Sequence, residues 1–327
     1  MLPAFDYVRP ANLAEAAAAL AREGAVALAG GSDIMGIMRD GVQNPATLVS
    51  LTGLDELRGI SETAAGGLAL GALTTVHEVA THPLVVERYP ALAQAAAAVG
   101  SPQLRNQGTL GGNLCQKPRC WYYRGEFHCA RKGGLRCYAL RGQNQFHALF
   151  GTAGRCAYVH PSDTAPALAA YGAVVLTTGP EGARRLPAGE FHVPPATAID
   201  RETVLLPGEV VTGVELPPAE GAWGRYRKIR ARGAWDFALA GAALVLNLEG
   251  RRVARARVVL SGVAAVPWRS MPAEEALEGR ELTPGVARDA ARAALSGARA
   301  LAHNRYKLYL LEGLLTEELT GLARVQG

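Results

Sequence analysis

The sequence predicts a two-part α+β protein. Three observations predict it. A strand, a Gly-rich turn and a helix follow one another at 26–39. The texture changes at the proline-rich stretch 217–221. Beyond that stretch, three strands precede two helices, which reads as a small sheet with helices to one side. At 327 residues the chain is long enough for two cores. The expected division is 1–219 and 220–327, with an insertion at about 116–156.

Taken in order, 5–8 reads as a short strand. Asn12 followed by Glu15 resembles a capping box and opens an Ala-rich helix over 13–22. Gly24 can end it in the left-handed conformation. A short strand, Val26-Ala27-Leu28, runs into Ala29-Gly30-Gly31-Ser32-Asp33, and a helix is expected over 34–39. Strand, Gly turn and helix in that order place backbone N–H groups where an anion such as a diphosphate can bind. The plain alternative is a tight turn.

Strands are expected at 47–51 and 67–72, a second capping box at Thr75 and Glu78, and a helix over 91–99. A turn at 101–107 then delivers the chain to a second Gly-rich loop, Gly108-Thr109-Leu110-Gly111-Gly112-Asn113-Leu114-Cys115. Two such loops suggest a diphosphate gripped from two sides. Further strands are expected at 157–160, 173–178 and 210–216, with Ser162 or Asp163 capping a helix over 164–171. In the last part, strands are expected at 226–230, 240–248 and 255–261. Helices follow at 284–295, capped by Thr283, and at 306–322.

The segment 116–155 does not read as core or as regular structure. It is poor in aliphatics, and its eight basic residues are opposed within it only by Glu126. A long loop of this kind is functional or disordered. Cys120, Cys129, Cys137 and Cys156 are spaced C-x8-C-x7-C-x18-C. That is neither a ferredoxin pattern nor the paired C-x2-C hooks of structural zinc. An iron–sulfur cluster, zinc and uncoordinated thiols all stay open on spacing alone. The local positive charge would offset a thiolate-ligated metal group of either kind. Cys115 is the fifth cysteine and reads as a spare, because it follows directly on the second Gly loop. His128 and His147 are read as packing residues rather than ligands.

Other classes are set aside. The net charge is +5, but the basic residues are spread and do not form the dense face that nucleic-acid binding needs. No apolar run approaches the ~20 residues of a membrane span. The first residues carry no secretory signal pattern. This fits a cytoplasmic protein, or a periplasmic one co-exported on a partner's signal. No nucleophile–base pair stands out, and no dinucleotide fingerprint follows a strand.

The first Gly turn, Leu104-Arg105-Asn106-Gln107-Gly108-Thr109-Leu110-Gly111-Gly112-Asn113-Leu114, and His160-Pro161-Ser162-Asp163-Thr164-Ala165-Pro166-Ala167-Leu168 carry a resemblance. With 226–238 they resemble the FAD-binding medium subunit of the xanthine dehydrogenase family of molybdenum hydroxylases. With the cysteine insertion, the chain is most similar to FAD subunits of bacterial aldehyde oxidoreductases that carry an additional 4Fe–4S cluster. The resemblance covers essentially the whole chain.

It implies a two-part FAD-binding domain of the vanillyl-alcohol-oxidase type, then a small three-stranded sheet with helices. Val26, Ala27, Leu28, Ala29, Gly30, Gly31, Ser32, Asp33 and Ile34 would bind the FAD diphosphate. Thr109, Gly112 and Asn113 would form the opposite wall. Asp163 would accept from FAD hydroxyls, a role compatible with helix capping. Lys228 would sit near the flavin, against the alternative of a solvated strand residue. Asp236 is read as structural, pairing a nearby Arg. Cys120, Cys129, Cys137 and Cys156 would hold the cluster. Implied partners are a molybdopterin-binding large subunit, a 2Fe–2S small subunit and an external electron acceptor. The implied alternatives are a β subunit of 4-hydroxybenzoyl-CoA-reductase type, with electrons running toward substrate, and a stand-alone flavin oxidase. A zinc-stapled binding module is the non-enzymatic alternative.

Overall fold

A computed structural model describes residues 2–152, 154–219 and 221–325. The division expected at 219/220 falls on residue 220, which lies outside the described residues. Strands β1 (Asp6–Val8), β2 (Ala25–Leu28) and β3 (Thr47–Ser50) form a parallel sheet in the order β1-β3-β2. The helix between β1 and β2, Leu13–Leu20, is capped by Asn12, whose side chain accepts the Glu15 N–H. Glu15 reaches back to the Ala11 N–H rather than to that of Asn12. Gly24 has φ +73° and turns the chain into β2.

The second sheet is antiparallel. It contains β4 (Ile60–Glu62), β5 (Leu68–Gly71), β6 (Val174–Gly179), β7 (Gly182–Pro187) and β8 (Val210–Leu216), in the order β4-β5-β8-β6-β7. β4 and β7 have no counterpart in the sequence reading; both are edge strands with mostly exposed residues, so neither carries an apolar signal. The expected capping box at Thr75 and Glu78 is present and opens the helix Val76–Thr81.

The last sheet has four strands, not three: β9 (Ala222–Ile229), β10 (Ala240–Glu249), β11 (Arg252–Ser261) and β12 (Trp268–Arg269), in the order β12-β11-β10-β9. The expectation of helices on one side is also corrected. Helices Met271–Leu277 and Tyr306–Val325 cover one face, with Pro284–Ala293 packed against Tyr306–Val325. Helices Pro90–Ala97 and Thr164–Tyr171 cover the other. The alternation along β10 shows this directly. Ala242, Leu244 and Leu246 join the core with the C-terminal helices, while Ala243 and Val245 join the core of the preceding part. A strand buried on both faces reads as a continuous apolar run, as 240–246 does.

Three local expectations fail, two of them because short-range hydrogen bonding winds a helix where an isolated stretch reads as turn or loop. The 101–107 turn is a helix, Pro102–Gln107, with Ser101 accepting the Leu104 N–H and proline in the first turn. The second Gly loop is the helix Leu110–Cys115, capped by Thr109. The 157–160 segment is not a strand; it is held by single bonds, Ala148 N–H to the Ala157 carbonyl and His160 N–H to that of Ala264.

Candidate functional site

β2 delivers the chain to the first Gly turn, which lies against residues 107 and 108. A Cβ on Gly30 would fall 1.9 Å from the Gln107 carbonyl oxygen, so only glycine allows this approach. The Gln107 side-chain amide donates to the Gly30 carbonyl at 3.0 Å and closes the contact. Gly31 serves differently: its φ is +71°, and its side-chain direction is comparatively open. The Asp33 carboxylate is taken up by three donors, the Lys117 N–H at 2.7 Å, Arg124 at 2.8 Å and Arg119 at 2.9 Å. This neutralises the one carboxylate of the turn.

The opposite wall is the first turn of Leu110–Cys115. The Thr109 hydroxyl accepts the Gly112 N–H at 3.2 Å. The Gly111 N–H donates to the Ala72 carbonyl at 2.9 Å, and a Cβ there would meet Ala72 at 3.0 Å. The Asn113 side-chain oxygen accepts from Ser162 at 2.6 Å and from Thr164 at 2.7 Å, which ties this wall to the helix Thr164–Tyr171. Ser162, not Asp163, provides that helix's cap, accepting the Ala165 N–H at 3.0 Å.

Asp163 is thereby free for another role. One of its oxygens accepts from Lys228 at 2.7 Å and the other from the Tyr226 hydroxyl at 2.7 Å. Lys228 also donates to the Ala98 carbonyl at 3.1 Å. Burial pushes the Asp163 carboxyl up, and Lys228 opposes that shift. Lys228 is buried beneath the trough, not solvated as a plain strand residue would be. Asp163→Ala leaves the ammonium buried without its partner, and a loss of about 3–5 kcal/mol is expected in denaturant unfolding. The double variant Asp163→Ala/Lys228→Met should recover most of it. Equal stability of Asp163→Ala and the unchanged protein would show that the pair is not held in this way.

Between the walls run two adjoining hollows with a shared wall, which together make up a trough. One end, about 1130 Å³ out to its mouth, is lined by Val26, Ala27, Ala29, Gly30, Gly31 and Ile34, and by Lys117 and Leu206 opposite. The other end, about 910 Å³, holds Leu104, Asn113, Asp163, Lys228, Trp235 and Phe237. Ser32, Asp33, Thr109, Gly112 and Gln116 line both ends. Leu28 alone of the expected run stays off the wall. Trp235, Phe237 and Arg119 were not singled out from sequence. Trp-Asp-Phe in a polar segment was the available signal. Trp235 has φ +57° and donates its N–H to the Gly100 carbonyl at 3.0 Å. The expected pairing of Asp236 with an Arg is not found among the described residues. It accepts the backbone N–H groups of Ala231 and Phe237 instead.

The cysteine segment is more ordered than expected. It contains the helix Trp121–Arg124 and short 3₁₀ turns at Ala130–Lys132 and Tyr138–Leu140, with Tyr122, Ala139, Leu149 and Phe150 buried. Its aliphatic-poor sequence hides an aromatic core, in which Tyr122 meets Phe127 and Tyr138. Part of its charge is balanced from outside. Glu202 pairs with Lys117 and Arg131, and Asp33 with Arg119 and Arg124. The sequence could not show these acids, which lie far away along the chain.

Cys120, Cys129, Cys137 and Cys156 all line one small cavity, with Tyr123, Tyr158 and Arg131 around them. The His147 Nε2 lies 3.3 Å from the Cys120 Sγ, and burial pushes that imidazole down to about 4, so it is neutral. Burial pushes the Cys120 thiol up to about 11. A hydrogen bond to Cys156 brings Cys137 down to about 6. Cys115 is elsewhere, on the trough floor against the main core, and burial pushes its thiol up to about 12. Among the described residues, no group of three or more His, Cys, Asp or Glu is arranged to hold a metal ion. The trough and the cysteine cavity are separated by one aromatic slot. Arg119, Asp236 and Phe237 are shared between trough and slot, and Cys120 and Tyr158 between slot and cysteine cavity.

Comparison with known proteins shows the family. Residues 3–219 match the family of the FAD binding domain in molybdopterin dehydrogenase, and 225–320 match the CO dehydrogenase flavoprotein C-terminal domain. The aldehyde oxidoreductase FAD-binding subunit PaoB of Escherichia coli (strain K12) is 37% identical over 97% of this chain and 98% of its own length. The carbon monoxide dehydrogenase medium chain of Hydrogenophaga pseudoflava is 30% identical over 90% of this chain and 87% of its own. A solved structure of carbon monoxide dehydrogenase from the same organism superposes with a TM-score of 0.78, at 27% identity, over 100% of this chain and 99% of that one. The chain belongs to the FAD-binding medium-subunit family of the molybdenum hydroxylases, and is an oxidoreductase subunit.

Proposed function

We propose that this chain is the FAD-carrying electron-transfer subunit of a molybdenum-containing aldehyde oxidoreductase, with a 4Fe–4S cluster in its cysteine cavity. The observation that carries the reading is the joining of two Gly-lined walls into one trough that ends one slot away from four convergent thiols. The extensive likeness to an aldehyde oxidoreductase subunit supports the substrate class. The aldehyde would be oxidised at a molybdopterin cofactor on a large subunit, with electrons arriving through a 2Fe–2S subunit and leaving to an external acceptor.

The residues fit FAD. Gly30 lets the 29–33 turn lie against Gln107, Gly31 supplies its left-handed bend, and Ser32 adds a hydroxyl on the shared wall where a diphosphate would lie. Thr109, Gly112 and Asn113 hold the other side, while Asp163 and Lys228 underlie the end lined by Trp235 and Phe237. When bound, FAD supplies two-electron and one-electron redox chemistry, and the protein supplies position and potential. The donor set also fits an iron–sulfur cluster. Four cysteines converging on one cavity are the ligand number that such a cluster takes. Cys120, Cys129, Cys137 and Cys156 would be its ligands, with His147 donating to the Cys120 sulfur.

The described trough contains no acid–base pair aimed at a substrate carbonyl. The isolated chain, loaded with FAD, is therefore expected to oxidise no aldehyde, while the complex with its molybdenum and 2Fe–2S subunits does. Steady-state turnover by a molybdenum-free preparation of this chain alone would overturn the assignment.

A further inference from the structure

Near the start of the cysteine segment, Arg119 reaches two other parts of the chain. Its guanidinium pairs with Asp33 of the first Gly turn at 2.9 Å and donates to the Gln116 side-chain oxygen at 3.3 Å. It also lies 5.1 Å from the centre of the Phe237 ring, within cation–π distance. Arginine can do both at once, because its N–H groups bond in the plane while its flat face stacks on a ring. Arg119 and Phe237 line both the trough and the aromatic slot.

The two ends of this contact differ in firmness. Asp33 is fixed, since it also takes the Lys117 N–H at 2.7 Å and Arg124 at 2.8 Å. The 230–238 segment, which links β9 to β10 and carries Phe237, has no helix or strand of its own. Asp236 accepts the N–H groups of Ala231 and Phe237, but both bonds stay within the segment. Trp235 is 57% exposed and Phe237 42%, so burial of their rings does little to pin it. Two contacts tie the tip of the segment to the first part of the chain. One is the Trp235 N–H to the Gly100 carbonyl at 3.0 Å, and the other is the Phe237 ring against Arg119.

Resting on the reading of the trough as the FAD site, we propose that Arg119 is a positioning residue that straps the trough at the end lined by Trp235 and Phe237. It joins the first Gly turn to the 230–238 segment and slows the opening through which FAD leaves. Arg119 acts through Asp33 and Phe237 and takes no part in a chemical step. The cysteine segment thereby has a second task, which does not depend on what the four thiols hold.

The test uses the assembled holoenzyme and two readouts. One is hydrogen exchange of the 230–239 backbone; the other is FAD release on dilution, followed as the rise in flavin fluorescence. In Arg119→Gln and in Phe237→Leu, both rates should rise about fivefold. The double variant should be no faster than either single one, because both break the same contact. Phe237→Tyr keeps a ring for the guanidinium and should behave as the unchanged protein does. Phe237 is exposed, so its variants keep the test valid even where Arg119→Gln fails to fold. Unaltered exchange in Phe237→Leu, additive effects in the double variant, or Phe237→Tyr as fast as Phe237→Leu would each overturn the strap. Faster exchange with unaltered FAD release would overturn its role in holding the cofactor. The FAD content of the unchanged protein reports on the trough separately, and its absence would sink the FAD reading whatever the exchange result.

Discussion

Gly30→Ala is expected to strip the chain of FAD. The new methyl would sit 1.9 Å from the Gln107 carbonyl oxygen and 2.8 Å from its carbon, both backbone atoms. Neither can rotate aside, so the two walls of the trough must part. The Gln107–Gly30 hydrogen bond then breaks, and the 29–33 turn moves away from the second wall. Flavin absorbance after desalting should fall at least about tenfold, which corresponds to about 1.4 kcal/mol of lost binding. Gly31→Ala is the graded control. It meets no close backbone, and only its left-handed φ of +71° opposes a side chain, at roughly 1–2 kcal/mol. Its flavin loss should be smaller. Full flavin content in Gly30→Ala would mean that the turn does not form the binding wall.

Where the cysteine cavity holds the proposed cluster, Cys156→Ser is expected to abolish it and Cys115→Ser to leave it intact. Cys156 is buried in the cavity that Cys120, Cys129 and Cys137 also line, and it lies at the far end of the segment. Its loss would unpin the chain after Cys137 and remove a ligand at once. Cys115 lies at the trough, with its thiol pushed up to about 12 by burial, and is a poor thiolate at any physiological pH. Iron per chain, measured colorimetrically, should drop from about four to near zero in Cys156→Ser. It should stay near four in Cys115→Ser, with the reduced-cluster EPR signal preserved. Cys115→Ser should cost no more than about 1–3 kcal/mol of stability, since it buries one hydroxyl. The opposite iron pattern would remove Cys156 from the ligand set and put Cys115 in it.

Much of this was legible in the sequence, and for local reasons. The 13–20 and 76–81 helices announce themselves by their caps, because a side-chain oxygen three residues before a backbone N–H needs nothing distant. β8 at Val210–Leu216 and the helix Ile34–Arg39 fall where the apolar pattern put them. The two Gly segments and the four clustered cysteines were visible as residue types in order, and they carried the family with them. Tertiary structure decided the rest, because those facts depend on groups far apart in the chain. Gly30 is obligatory only because Gln107 lies against it. Asp163 became the partner of Lys228 and Tyr226 only because Ser162 took the cap and β9 was laid beside it. The second Gly segment wound into a helix because Thr109 could cap it while Ala72 and Thr74 accepted its first N–H groups. The charge of the cysteine segment was decided by Asp33 and Glu202. These two acids neutralise the arginines and the lysine they reach, while Arg136, Arg141 and Arg155 near Cys137 have no carboxylate partner among the described residues. A charge is cancelled by whatever lies within a few ångströms of it, and sequence separation carries no information about that distance.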